Sequence, residues 1–470
     1  MAYSITQKPS LLAASNSPMV FILKETTGSI INAAKFRYIA QVYISTTDNS
    51  TWVQKAKIKL YKNANDVGIV DVSKIITTYL KTQEKNVGDQ ESIDGSIHSI
   101  GITDTSNAYS QNTSQFIGVK IVGGYEKAAD ANSSPEETLN LDNEIIHSIP
   151  ATTPFTKTGT NEGGLDKDGV NYPLTPNLPD DNNSRFLSNA PFVQFVRGGD
   201  ASADNVDELT VAFVNRGLVI TDACTSIRIR FYTNAGSLIN DVDIDSTTSV
   251  GGKAVADDMK NSLLYFGCGT RNLENFNDGG TNLQRPSNNT NWAYYTIQGK
   301  SAGGAAVKTA IYYFYRYGSG ASVDDRHQSC TRYDNVRLAW VNRLGAWDYM
   351  NFRGKSVESV DIRKSESAKT PGTWNELTFG YDNWDRGRNT LFSQATRKLK
   401  VNSDWLNDDE ASWLEELFTS TNVQILGDNN IVYPVILKNK SYIKKSSVND
   451  RVKIQYSLDL EYANTIRTNS

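Results

Sequence analysis

The stretch Arg332-Tyr333-Asp334-Asn335-Val336-Arg337-Leu338-Ala339-Trp340-Val341-Asn342-Arg343-Leu344-Gly345-Ala346-Trp347-Asp348-Tyr349-Met350-Asn351-Phe352 sets the fold class. Val336, Leu338 and Trp340 alternate with Arg337 and Ala339, the period of two that puts successive side chains on opposite faces of a strand. Asn342 to Gly345 then interrupts the apolar pattern, and Gly345 can take the positive φ that a tight turn needs. Trp347, Tyr349 and Phe352 lie beyond the turn. The pattern predicts a β-hairpin whose Trp340, Asn342, Gly345, Trp347, Asp348 and Tyr349 serve packing and turn formation, not catalysis.

The same period recurs outward from this block. Phe36, Tyr38, Ala40 and Val42 alternate with Arg37, Ile39, Gln41 and Tyr43; Ala56, Ile58 and Leu60 alternate with Lys57, Lys59 and Tyr61. Ile227, Ile229 and Phe231 alternate with Arg228, Arg230 and Tyr232, and strands are expected again at 310–317, 432–437 and 452–460. A mainly β, multi-domain chain follows, built of β-sandwich or barrel-like units with a few short helices. The surest helix is 408–419, with Asn407 as its cap, Asp408, Asp409 and Glu410 at its positive end, and Ala411, Leu414, Leu417 and Phe418 on one stripe. A second short helix is expected after Asp71.

Four regions are expected. Residues 1–125 form an N-terminal β-rich domain and 126–190 a long extended polar arm. Residues 191–324 form a central β-sandwich-like domain and 325–470 a C-terminal β-rich domain. The arm is inferred from composition: seven of the 12 prolines lie from Pro135 to Pro191, among Asn, Asp, Thr and Gly. Gly267 to Asn291 is expected to form loops.

Composition excludes several classes. Lys plus Arg number 48 and Asp plus Glu 52, a net charge of −4 with no long run of one sign, so nothing points to nucleic acid. No segment approaches the roughly 20 apolar residues of a membrane span, and no secretory signal opens the chain. The three cysteines, Cys224, Cys268 and Cys330, have no Cys-x-x-Cys spacing and only three histidines accompany them, so no metal or other cofactor is expected. Asp324, Asp325, Arg326, His327 and Cys330 form the densest reactive set and read as a charged loop. His98 and His147 read as solvated residues of polar loops. Gly123-Gly124 and Gly267-Cys268-Gly269 fit no nucleotide fingerprint and read as turn glycines. Trp374 and Trp384 are candidate glycan contacts, with core or interface packing as the competing role.

Trp340-Val341-Asn342-Arg343-Leu344-Gly345 followed by Asp348-Tyr349 resembles a block of tail-associated virion proteins of tailed bacteriophages, of the Bacteroidetes and marine-host type. Ser17 to Phe21, Phe36 to Ile39 and Asp71 to Leu80 fit the same group, as do Val432 to Ile436 and Val452 to Tyr462. The resemblance covers both ends and leaves the middle unmatched. It implies a non-enzymatic structural protein, a tail-tip, baseplate or collar-adaptor component assembled in the host cytoplasm. Its partners would be copies of itself and other virion proteins. A host-glycan-binding adhesin of a fibre or spike is the alternative, and a depolymerase a third. The resemblance brings no catalytic residues.

Overall fold

The computed structural model describes residues 3–9, 12–45, 51–82, 84, 95–103, 105, 107–111, 117–152, 186–198, 206–215, 224, 226–245, 262–301, 306–317, 333–385, 387–427, 431–442 and 454–469. The fold is mainly β: strands account for 51% and helices for 10% of these residues. Two compact units divide the chain, Met1–Ser329 with Val341–Tyr349, and Cys330–Trp340 with Met350–Ser470. The expected boundary near residue 325 is close to this division. The three regions expected before it fall in one unit.

In the first unit, a five-stranded sheet runs in the order Leu12–Ala14, Glu136–Ile149, Ile117–Ala128, Ala34–Ser45, Val53–Leu60. A three-stranded sheet of Tyr3–Gln7, Val20–Glu25 and Val67–Asp71 shares its core. Alternation decides which face is covered. Phe36, Tyr38, Ala40 and Val42 point into a cluster with Tyr3, Phe21, Leu23, Val70 and Ile121. The Tyr38 hydroxyl survives burial because it donates to Asp66 O at 2.6 Å and accepts from Glu25 N at 3.0 Å. On the opposite face Lys59 reaches the buried Glu126 at 2.5 Å and Glu137 at 3.0 Å. The Asp71 carboxylate accepts from Ser73 N at 2.9 Å, one residue before the helix cap, and the helix covers only Ser73–Thr77.

Two expectations are corrected here. The first part of the supposed arm is a 14-residue strand, Glu136–Ile149, paired on both sides. Its prolines, Pro135 and Pro150, flank the strand and never interrupt its ladder. Residues 153–185, the rest of the arm, lie outside the described residues. Gly123 and Gly124 are not in a turn but inside the strand Ile117–Ala128, where a Cβ on Gly124 would meet Thr138 O at 2.4 Å.

A second pair of sheets follows in the same unit. Five strands run Val193–Val196, Tyr312–Arg316, Trp292–Lys300, Ser226–Thr233, Leu238–Asp245, and three run Thr210–Asn215, Ser262–Gly267, Tyr109–Gln111. Tyr109 Oη donates to Ile244 O at 2.6 Å and Tyr295 Oη to Cys268 O at 2.8 Å, tying one sheet to the other. The strand Tyr109–Gln111 comes from the expected N-terminal domain, so a boundary at 125 cuts through a sheet. The Gly267–Asn291 stretch is not loop throughout: it holds a helix, Thr270–Asn275, and a 3₁₀ turn, Pro286–Asn288. Buried Asn272 anchors the helix. Its Oδ1 accepts from Leu209 N at 2.9 Å and its Nδ2 donates to His98 O and Ile100 O, each at 2.8 Å. Cys224 and Cys268 are buried and unbridged, and burial pushes the Cys224 thiol up to about 12, which keeps it protonated and inert.

The hairpin turn also belongs to this unit. Gly345 has φ +83°, Asn342 N donates to Ala346 O at 2.8 Å, and Asn342 Oδ1 accepts from Leu344 N at 2.9 Å and Ala346 N at 3.1 Å. Asn342 Nδ2 donates to Leu187 O at 2.8 Å. Tyr349 Oη bonds His98 Nδ1 at 2.7 Å and Thr210 Oγ1 at 2.6 Å, and Trp347 meets the His98 ring edge-on at 4.8 Å. His98 is therefore buried and bonded, contrary to the solvated loop expected for it, and His147 lies half-buried on a strand. A hydrogen-bonded imidazole enters a core because its polar atoms are satisfied there.

In the second unit, the hairpin strand Val336–Val341 enters a larger sheet. The order continues through Val423–Leu426, Val432–Leu437, Ser457–Tyr462, Arg388–Asn402 and Val357–Ala368, with Ile466–Asn469 beside Arg388–Asn402. The helix Asp408–Thr419 packs Ala411, Trp413, Leu414 and Leu417 inward. Its cap is reciprocal: Glu410 N donates to Asn407 Oδ1 at 2.8 Å and Asn407 N to Glu410 Oε2 at 2.8 Å. Asn407→Ala is expected to lower the stability of this unit by about 1 kcal/mol in chemical denaturation, and Asn407→Asp to leave it nearly unchanged.

Candidate docking surface at an exposed hairpin tip

The residues singled out from sequence separate into two places. Trp340, Asn342, Trp347, Asp348 and Tyr349 are buried, and Gly345 forms the turn between them. Trp374 and Trp384 lie instead on the loop 369–387, which joins the two longest strands of the second unit's sheet, Val357–Ala368 and Arg388–Asn402.

These two strands form a ribbon with little beneath it among the described residues. Every described residue of Val357–Ala368 is exposed or only partly covered, and Arg388–Asn402 becomes buried only at Val401. Cross-strand charge pairs line it, Glu358 with Arg397 and Asp361 with Lys398. The Lys398 ammonium holds the Asp361 carboxyl below its ordinary range, and the Glu358 carboxylate raises Arg397. Ile466–Asn469 adds a third strand for four residues, which helps because a two-stranded ribbon alone is marginal in water.

The ribbon ends in an apolar knob. Trp374 is 65% exposed, Phe379 61%, Tyr381 71% and Trp384 79%, and Leu377 is fully exposed. Scattered apolar residues on a surface are ordinary; five within eleven residues of one loop are not. The knob is ordered by hydrogen bonds, not by a core. Thr373 N donates to Gly380 O at 2.9 Å, Gly380 N to Thr373 Oγ1 at 2.8 Å, and Thr373 Oγ1 to Thr378 O at 2.9 Å. Asp385 accepts from Gly372 N at 2.8 Å. Gly372 has φ +108°, and a Cβ there would meet Phe379 Cε2 at 2.7 Å, so glycine is required on both counts. Trp374 packs edge-on against Phe379 at 5.0 Å and donates its indole N–H to Pro371 O at 3.0 Å.

A preformed apolar knob loses little side-chain freedom on docking, which favours binding of a matching pocket. Leu377 and Trp384 are its most exposed members. Leu377→Ser and Trp384→Ser are each expected to change unfolding free energy by under about 0.5 kcal/mol. A loss above about 2 kcal/mol for either in denaturant titration would mean that the knob is part of a core.

Sequence reading found Trp374 and Trp384 but not Leu377, Phe379 and Tyr381. Their alternation imitates a half-buried strand. The distinguishing signal is on either side, where Val357–Ala368 and Arg388–Lys400 carry charges on both faces and leave no core for the alternation to meet.

Among the described residues no group of three or more His, Cys, Asp and Glu is placed to hold a metal, and no helix is long and apolar enough to cross a membrane. A cavity of about 20 Å³ in the first unit, lined by Phe186, Leu209, Thr210, Tyr312, Trp347 and Tyr349, has the size of one water molecule.

No family model matches the chain, and no curated protein matches it. Among solved structures it is similar to Salmonella alpha-2-macroglobulin reacted with methylamine, with 9% identity and a TM-score of 0.18 over 97% of this chain and 23% of that one. A mutant of the same macroglobulin gives 8% identity and a TM-score of 0.18 over 100% of this chain and 31% of that one. The chain thus spans less than a third of either, and a likeness of this size carries no functional argument.

Proposed function

We propose that this chain is a non-enzymatic structural protein of a tailed-phage virion, a tail-tip, baseplate or collar-adaptor component that docks by its projecting ribbon. The observation that carries the docking role is the ordered apolar knob held away from any core. The virion assignment rests on the sequence blocks around Trp340 to Tyr349 and at the two ends. A protein pocket is the better occupant than a sugar for two reasons. The Trp374 indole N–H is already engaged by Pro371 O, and fully exposed Leu377 offers a hydrophobic anchor but no ring to stack on a sugar.

The glycan-binding adhesin remains the second reading, favoured by the exposed rings of Trp374 and Trp384. One variant separates the two. Leu377→Ser with Trp384→Ser should fold normally yet be lost from purified phage particles at least tenfold relative to the parent chain. Incorporation at the parent level, together with lost binding to a glycan panel, would overturn docking in favour of the adhesin.

A further inference from the structure

We propose that the ribbon also pairs with itself: the free edge of Val357–Ala368 joins the same strand of a second copy, antiparallel and centred on Asp361. Among the described residues this strand is the last in its sheet, hydrogen-bonded on one side to Arg388–Asn402 and open on the other. It is 12 residues long and exposed along its length, the kind of edge that templates pairing unless something prevents it.

The edge strands differ in how they carry charge. Val53–Leu60 ends its sheet with Lys55, Lys57 and Lys59, and Leu238–Asp245 ends another with Asp241, Asp243 and Asp245. Each carries one sign, which opposes self-pairing in any register. Val357–Ala368 carries both. With Asp361 on the two-fold axis, Val360 of one copy lies opposite Ile362 of the other, Glu358 opposite Lys364, and Ser359 opposite Arg363. Every such pair occurs twice by symmetry. Lys364 has no ion-pair partner among the described residues, so the register supplies one. The two Asp361 carboxylates at the centre each bring their own Lys398.

The face that results is also apolar where it needs to be. By strand register, Val401 and Leu458, then Leu399 and Leu460, lie on one face, which continues along the ribbon through Ala395, Ile362, Val360 and Ile466. Val401, Leu458 and Leu460 are buried, whereas Val360, Ile362 and Ile466 are exposed. Pairing about Asp361 gathers Val360 and Ile362 of both copies into one cluster on that face. The pairing uses the strand edge and is independent of what the tip binds.

The test is cysteine cross-linking of the full chain in a Cys330→Ser background. Asp361→Cys should give a disulfide-linked dimer under mild oxidation. Ser359→Cys and Arg363→Cys should not cross-link alone, because each lies two residues from the axis, but should cross-link when the two proteins are mixed. In sedimentation, Glu358→Lys and Lys364→Glu should each weaken dimerisation about tenfold, with the double exchange restoring most of it. A monomer at all concentrations, or Ser359→Cys cross-linking as well as Asp361→Cys, would overturn the proposal.

Discussion

Replacing Trp340 by alanine is expected to lower the stability of the C-terminal unit by about 3–5 kcal/mol, the cost of removing a buried aromatic from a core that cannot close over the gap. Trp340 is fully buried, lies opposite Val423 in the strand pairing, and its ring sits 5.1 Å from that of Trp413 on the helix Asp408–Thr419. The substitution therefore separates sheet from helix in one step. The indole N–H of Trp340 has no hydrogen-bond partner among the described residues. Trp340→Phe keeps most of the buried area and removes that orphan donor, so it should cost under about 2 kcal/mol. Guanidinium titration followed by Trp fluorescence and circular dichroism checks both. Equal losses for Ala and Phe would show that the site depends on the indole itself and not on filled volume.

Asn272→Ala should destabilise the first unit by about 3 kcal/mol or more. Its side chain makes three hydrogen bonds with no exposure to water, and deletion removes the partner it gives to Leu209 N, His98 O and Ile100 O, all buried. Asn272→Asp is the informative control. It keeps the acceptor for Leu209 N but turns a carboxylate oxygen toward two carbonyl oxygens, so it should be at least as harmful as alanine. A mild Asn272→Asp would contradict the donor role assigned to Nδ2. Protection of the 97–103 backbone amides in hydrogen exchange gives a local readout for both variants.

The parts of this fold legible in sequence were those with a strong local period. The hairpin about Gly345, the strands around Tyr38, Ile58 and Ile229, and the capped helix after Asn407 each repeat a pattern that one element alone can satisfy. Misread features depend on partners distant in the chain. His98 enters the core because Tyr349, 251 residues away, bonds it. The helix Thr270–Asn275 is too short to show a period, and Asn272 is held by residues 63 to 174 positions away. The strand Glu136–Ile149 was obscured by its flanking prolines and polar wet face. At the tip, composition shows aromatics, but only the fold shows that they stay exposed among the described residues.

The knob joins these structural facts to the proposed role. A loop that spends its hydrogen bonds on holding Trp374, Phe379 and Tyr381 in water is stable as a shape, and hydrophobic burial is recovered only when another surface covers it. The most direct measurement of the virion assignment is immunogold electron microscopy of purified particles, using antibody raised against the second unit. The account predicts label confined to the tail or its junction with the head. Particles without label, with the chain recovered only in the soluble lysate, would contradict it.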